Sequence, residues 1–304
     1  MENKQPLLSI CIPTYNRASI LENTLKTYVN DTDFDETVEI VISDNCSTDE
    51  THEVGIRYSQ LYKNVKYYRN EVNVRDKNFY LVMGRATGKY VKLNNDTVTL
   101  KKGKLGKMKS CIQDADESTQ LLFPKLAPFR NVSTTLKAST PTELIKYISF
   151  NSTWLSTYGM WKSDYDKICS DTDDYSCQLM QVEWLFRISQ NKQYCLYFDD
   201  YYEVYETKNK GSYNFFGVFT DNYFKILREH LGHSFAYEFE KYRIFSKYLV
   251  PFIYNSFIGG GKFSYDYSGI TKCYFRHYWY HLYVYFFLVF YTPVRYMRDK
   301  FANC

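Results

Sequence analysis

The sequence has no C-x-x-C pair: its eight cysteines, at 11, 46, 111, 169, 177, 195, 273 and 304, are scattered. That spacing argues against a zinc site and a compact disulfide framework, and reduced thiols in a cytoplasmic chain are the simplest reading. No G-x-G-x-x-G follows the first apolar run and no G-x-x-x-x-G-K-[ST] occurs, so dinucleotide-redox and P-loop chemistry have no support. Long hydrophobic runs are missing as well. The opening MENKQPLLSICIPTYN carries one Lys and a single short apolar run, Leu7 to Pro13, broken by Ser9, which predicts neither a signal peptide nor a membrane span. Tyr278 to Thr292 is uncharged, but as a helix it measures about 22 Å, short of the roughly 30 Å hydrocarbon core.

Strong charge of one sign is absent from most of the chain. The net charge of the 304 residues is +4, and Lys262 to Cys304 alone holds six Lys/Arg against two Asp, so the remainder is neutral. The lysines at 101, 102, 104, 107 and 109 read as a solvated face, and no nucleic-acid partner is expected. The length suits one large domain or two, with ample chain for a core.

What is present is a repeating β/α pattern. Leu7 to Ile12 reads as a buried strand, and Ser19-Ile20-Leu21-Glu22 as a capping box opening a helix with Leu21, Leu25, Tyr28 and Val29 at helical spacing. Val38 to Ser43 is a second strand, followed by Asp44-Asn45-Cys46 and another capping box, Ser47-Thr48-Asp49-Glu50. Val65 to Arg69 is a third strand, Asp76 to Ala86 a helix, and Tyr90 to Leu93 a fourth strand. Buried strands alternating with helices predict an α/β fold with a parallel sheet, whose ligands bind beyond the carboxyl ends of the strands. Thr14 to Arg17, Asp44-Asn45 and Asn94-Asn95-Asp96 all fall there.

A carboxylate at Asp44 can accept the N3 hydrogen of uracil or thymine, which cytosine lacks. Asp96 can hold a hard divalent cation against a diphosphate, since Mg²⁺ and Mn²⁺ commonly bind through one or two carboxylates plus phosphate oxygens. Together these describe a nucleotide-sugar site. A plain surface turn at Asn94 to Asp96 is the competing reading.

LLSICIPTYNRASILENTL, VEIVISDNCSTDET and NEVNVRDKNFYLVMGRATGKYVKLNND, in that order, resemble the inverting family 2 glycosyltransferases of the GT-A fold, of the bacterial surface-polysaccharide type. The resemblance covers roughly the first hundred residues. It implies a Rossmann-like nucleotide half with a mixed sheet, a nucleotide-sugar donor, expected to be UDP-linked, and Mn²⁺ or Mg²⁺ at a D-x-D motif. By that resemblance the donor-binding set is Pro13, Thr14, Tyr15, Asn16, Arg17, Asp44, Asn45, Asn73, Asn78, Asn94 and Asn95. Asp44 is the base reader, Asn94 lies near the ribose, and Asp96 is the metal ligand. Two departures stand out. Asn94 replaces the first Asp of D-x-D and brings no charge to a metal, and the glycine of N-x-G after the third strand is missing beyond Asn73-Val74.

Further along, Leu121 to Phe123 reads as a strand, and Thr140-Pro141-Thr142-Glu143 opens a helix. The helix from Gln178 to Ile188 resembles one that usually begins with a Glu-Asp pair supplying the catalytic base, yet here the aligned position is Gln181, which cannot act as a base. Asp171, Asp173, Asp174 and Glu183 surround it, and Asp174 and Glu183 are the choices. Trp154, Trp161 and Trp184 fit a sugar-stacking role, although aromatic residues at such spacing are more often core.

A GT-A catalytic domain is expected over residues 1–216 and a helical, aromatic-rich region over 217–304, with a hinge at Gly259-Gly260-Gly261. Sixteen aromatics fall in the last 43 residues, among the basic surplus. Either this segment packs on the catalytic domain, or it lies in an anionic membrane interface on the inner face of the plasma membrane. The expected activity is inverting sugar transfer to a hydroxyl of a glycan or lipid-linked acceptor. The alternatives are a sugar-nucleotide-binding protein without catalysis and a nucleotidyltransferase, whose glycine-rich phosphate loop is absent.

Overall fold

The apolar run after Pro6 forms a strand because β-branched and aliphatic residues leave no polar face to turn outward. In a computed structural model describing residues 5–126, 132–170, 172–205, 214–251, 254, 266 and 268–302, Leu8–Thr14 (β1) is buried at every position. Helix Ala18–Val29 (α1), strand Val38–Asp44 (β2), helix Thr51–Leu61 (α2), strand Val65–Arg69 (β3), helix Lys77–Gly84 (α3) and strand Tyr90–Leu93 (β4) follow. The chain continues through Val98–Leu100 (β5), Lys104–Gln113 (α4), Thr119–Leu122 (β6), Thr134–Ala138 (β7), Pro141–Ile148 (α5), Gly159–Trp161 (β8), Lys162–Ile168 (α6), Met180–Ser189 (α7), Gln193–Phe198 (β9) and Tyr202–Val204 (β10).

The main sheet has the order β3-β2-β1-β4-β8. Its first four strands are parallel and β8 runs antiparallel to β4. The expected α/β architecture with a mixed sheet is therefore present. Thr14 pairs in register with Asp44, and Cys11 with Leu93, which brings the ends of β1, β2 and β4 to one edge of the sheet. A smaller sheet has the order β6-β9-β7, and β10 pairs with β5. The chain divides into two compact units, Met1–Glu206 and Thr207–Cys304.

Neither N-terminal capping box forms. Helix α1 starts at Ala18, whose amide donates to Asp49 Oδ2 at 3.1 Å, and the Ser47 amide donates to Asp44 Oδ1 at 2.9 Å while α2 waits until Thr51. Bonds between the loops after β1 and β2 take the groups that a local cap needs. At Thr140, outside that network, the cap forms as expected: Thr140 Oγ1 accepts from the Glu143 amide at 3.1 Å, with Pro141 at the first helical position.

Trp161 and Trp184 are buried, and Trp154 packs edge-on to Tyr202 with the Lys125 ammonium over its ring, which is the core role. The lysine run is tied down: Lys104 and Lys107 both pair with Asp199, Lys101 with Asp200 and Lys109 with Asp35.

In the second unit, Tyr223–Leu231 (α8) and Phe235–Ile244 (α9) are helical, the latter extended by wider turns over Phe245–Leu249. Gly259 to Gly261 lie outside the described residues. The expected Tyr278–Thr292 helix is redrawn: one helix ends at His277, and the next runs from Leu282 through Ala302. Val284 of that run is buried, and Tyr283 and Phe287 pack on Tyr242 and Phe245. Leu282, Phe286, Val289 and Phe290 are exposed. Among the described residues no helix is long and apolar enough to cross a membrane.

Candidate active site

Thr14, at the end of β1, joins both halves of the crevice edge: it pairs in register with Asp44 and donates through Oγ1 to Asp96 Oδ2 at 3.0 Å. The Asp96 side chain is almost fully buried. Its Oδ1 accepts from Arg17 Nη1 at 2.7 Å, and its main-chain carbonyl accepts from Thr24 Oγ1 at 2.5 Å. Burial raises its pKa, with the Arg17 guanidinium opposing the shift.

Asn94 is buried. Its Nδ2 donates to the carbonyls of Asn95 and Val98, while its Oδ1 has no partner. Asn95 is fixed through its amide, which donates to Ser156 Oγ at 3.0 Å. The Asp96 carboxylate is a hard donor of the kind Mg²⁺ and Mn²⁺ take, so its chemistry fits such a cation. Among the described residues no three His, Cys, Asp or Glu gather to hold a metal, so a cation here would need further ligands from outside the chain.

At the end of β2, Asp44 is fully buried and accepts from the Ser47 amide and, at 2.7 Å, from the Tyr67 hydroxyl, with Arg69 Nε 3.7 Å away. Burial and the adjacent Asp44 carboxylate raise the Tyr67 pKa, so its phenol stays a donor. His52 Nδ1 lies 3.0 Å from the same hydroxyl. The Tyr67 ring lies against Gly55, where a Cβ would come within 2.1 Å of it, so this helical glycine makes room for the ring that holds Asp44.

The loops are laced to one another. Asn16, in the left-handed region at φ 51°, donates its amide to Ser47 Oγ and accepts from the Thr48 amide on Oδ1. Asn45 Oδ1 accepts from the Val74 amide, and its Nδ2 donates to Asn73 Oδ1. Asn78 is buried among Ser43 and Asn70, where it fastens the β3–α3 loop to the sheet. Arg75 stands where the glycine of N-x-G is missing and takes φ 52°, so the left-handed turn is kept at the cost of backbone strain. Pro13 is buried and Tyr15 is exposed.

Around α7, Gln181 is buried and donates to the Thr153 carbonyl, while its Oε1 has no partner. Glu183 pairs with Arg187 at 3.0 Å, and Asp173 accepts from Arg187 and Trp184. Asp174 is exposed and caps a short turn by accepting from the Ser176 amide. Asp171 lies outside the described residues. Sequence reasoning passed over Asp76, which precedes α3; burial raises its pKa while the Gln178 side chain bonds to it. It also passed over Tyr67, which alternates with polar neighbours like any strand residue, and Lys92, discussed below.

The doubly wound sheet with a mixed edge defines a GT-A fold. The chain aligns with Staphylococcus aureus TarS 1–349 in complex with UDP at a TM-score of 0.54 and 19% identity, over 84% of this chain and 73% of that one. A second TarS structure aligns at 0.54 and 18%, over 83% and 44%. Residues 9–122 match the family model Glycosyl transferase family 2. The abequosyltransferase RfbV of Salmonella typhimurium is 43% identical over 86 residues, 28% of this chain and 26% of the relative. The GalNAc(5)-diNAcBac-PP-undecaprenol beta-1,3-glucosyltransferase of Campylobacter jejuni is 31% identical over 120 residues, 39% of this chain and 37% of the relative. The matched segments span well under half of either relative.

Proposed function

We infer that this chain is a glycosyltransferase that moves a sugar, with inversion, from a uridine-type nucleotide sugar to a hydroxyl of a glycan or lipid-linked acceptor in bacterial surface-polysaccharide synthesis. The observation that carries this is the convergence of Asp44, Asn94 and Asp96 on one sheet edge within a family 2 domain, bridged by Thr14. Asp44 reads a ring N–H through its carboxylate. Asn94 accepts a ribose hydroxyl on its open oxygen. A divalent cation at Asp96 supplies charge stabilisation to the departing diphosphate. Thr14 to Arg17 with Asn45 and Asn73 shape the donor loop.

The acceptor hydroxyl gives its proton to a carboxylate near α7, which acts as general base. Asp174 is the accessible choice and Glu183 the ion-paired one; Asp76, its pKa raised by burial, joins them. TarS structures with UDP and UDP-GlcNAc and the undecaprenol-linked glycan in the Campylobacter relative's name support the donor and acceptor classes. The exposed apolar residues of the last helix support peripheral seating on an anionic leaflet, where a lipid-linked acceptor sits.

Gln181 at the aligned base position favours a second reading, a nucleotide-sugar-binding protein without turnover. Incubating the chain with UDP-sugars and lipid-linked glycans separates the two. Release of UDP dependent on acceptor supports transfer, and tight UDP binding with no release across the panel supports the binding protein.

A further inference from the structure

We propose that Ser156 is a positioning residue of the donor site: its hydroxyl fixes the peptide joining Asn94 to Asn95, and so holds Asn94 Oδ1 and the Asp96 carboxylate at the separation one nucleotide needs. The inference rests on the reading of Asn94 as the ribose contact and Asp96 as the cation's carboxylate.

Ribose and diphosphate belong to one ligand, so the groups that meet them must keep their spacing, and such groups are placed accurately only when further contacts lock them. Here they stand two residues apart in the loop after β4. The Asn94 amide is held by the Cys11 carbonyl of β1 at 2.8 Å, and Asp96 by the hydroxyls of Thr14 and Thr24. Between these two ends, the Asn95 amide donates to Ser156 Oγ at 3.0 Å. Asn and Asp adopt several turn conformations with little cost. With the serine oxygen removed, that amide satisfies itself elsewhere by rotating the peptide, and Asn94 turns relative to Asp96.

Ser156 is a fixed point because it is also held from its other side. It is fully buried, and its carbonyl accepts from Lys92 Nζ at 2.6 Å and from the Tyr202 hydroxyl at 2.7 Å. Lys92 lies on β4, just ahead of the loop, and Tyr202 on β10, which pairs with β5 just after it. The strands flanking the loop thus grip the carbonyl, and the side chain returns one bond to the loop between them. The adjacent Thr157 is as deeply buried, yet its Oγ1 has no hydrogen-bond partner. These two neighbouring hydroxyls therefore separate positioning from packing.

The test is calorimetric titration of the full chain with UDP, with and without Mn²⁺, well below each variant's melting temperature and corrected for Mn²⁺ held by free UDP. Stoichiometry reports the folded fraction, and the quantity read is the factor by which Mn²⁺ tightens UDP. Ser156→Ala is expected to reduce that factor roughly threefold or more, the scale of one hydrogen bond. Its stoichiometry and its preference for UDP over CDP should stay as in the wild type, because Asp44 is held by Ser47 and Tyr67 instead. Thr157→Val, isosteric at a hydroxyl that bonds to nothing, should keep the wild-type factor.

An undiminished factor in Ser156→Ala overturns the proposal, and so does an equal loss in Thr157→Val, which makes the effect one of packing. Should Ser156→Ala fail to fold, Ser156→Cys, which keeps the shape and offers only a weak acceptor, is expected to reduce the factor about twofold or more, and no change there overturns the proposal. The wild type separates the layers. If it binds UDP without dependence on Mn²⁺, or not at all, the donor and cation reading fails and the proposal with it; if the wild type shows the dependence and the Ser156 variant keeps it, only the positioning role fails.

Discussion

Lys92 Nζ donates to the main-chain carbonyl of Ser156 at 2.6 Å, deep in the protein, and to that of Leu93 at 3.1 Å, with no carboxylate in hydrogen-bond reach among the described residues. The Tyr202 ring lies beneath the ammonium, and the Tyr202 hydroxyl donates to the same Ser156 carbonyl. Ser156 in turn holds Asn95 through its Oγ. A buried lysine two residues before the Asn-Asn-Asp stretch thus braces that loop against the segment holding Ser156.

Its consequence is a pH dependence of stability. Burial lowers the Lys92 pKa from 10.5 to about 7. Between those values the unfolded chain binds more protons than the folded one, so this group makes stability rise with pH, by up to about 1.4 kcal/mol per unit. The gain is complete above the unfolded value and is lost as pH falls through about 7. Denaturant titrations of wild type and Lys92→Met between pH 7 and 9.5 should show a difference that narrows or reverses in favour of the wild type as pH rises. A difference independent of pH contradicts the assignment.

Gly55→Ala pits two effects against each other. Alanine improves helix propensity by about 1 kcal/mol, but its Cβ would meet the Tyr67 ring at 2.1 Å, and such overpacking costs about 1–3 kcal/mol. The clash should win, lowering stability by about 1 kcal/mol and weakening UDP binding, because Tyr67 leaves Asp44. Calorimetry showing unchanged UDP affinity would detach Tyr67 from the base site.

Asp96→Ala should abolish Mn²⁺-dependent transfer with the fold retained, whereas Asn94→Ala should weaken donor binding by about 0.5–1.5 kcal/mol, the range of one neutral hydrogen bond. Asn94→Asp adds a charge and should tighten Mn²⁺ binding. Full transfer activity in Asp96→Ala, or in the wild type without any divalent ion, rules the cation out.

Phe286, Val289 and Phe290 are each more than half exposed on the last helix. Apolar and aromatic rings of this kind insert at headgroup depth, and nearby basic residues add about 1 kcal/mol each at an anionic surface. The intact chain should sediment with anionic vesicles, less so at high salt, and replacing these three residues with serine should leave it in the supernatant. Equal sedimentation of both proteins removes the membrane role.

The α/β half was legible because its signals are local: apolar strand runs, Asn and Asp at their ends, helical spacing in Leu21, Leu25 and Tyr28. Strands Val65–Arg69 and Tyr90–Leu93 stand where the sequence pattern puts them. The starts of α1 and α2 were not legible, since the Ser47 hydroxyl accepts from the Asn16 amide and Asp49 is shared between the amides of Ala18 and Thr51. Likewise, the crevice positions could be read from motifs but their partners could not: nothing local in Arg17, Tyr67 or Lys92 announces that each meets a residue more than twenty positions away. The break at His277 was hidden in an unbroken aromatic run, where burial of Tyr278 decides the turn and periodicity does not.

The central claim is a uridine-reading donor site at Asp44, and calorimetric titration of UDP and CDP in the presence of Mn²⁺ tests it most directly. UDP should bind at least tenfold more tightly than CDP. Asp44→Asn should erase that preference by weakening UDP by about 1.5–3 kcal/mol, the range for a hydrogen bond to a charged group. Equal affinities of the wild type for UDP and CDP, or an undiminished preference in Asp44→Asn, contradict the account.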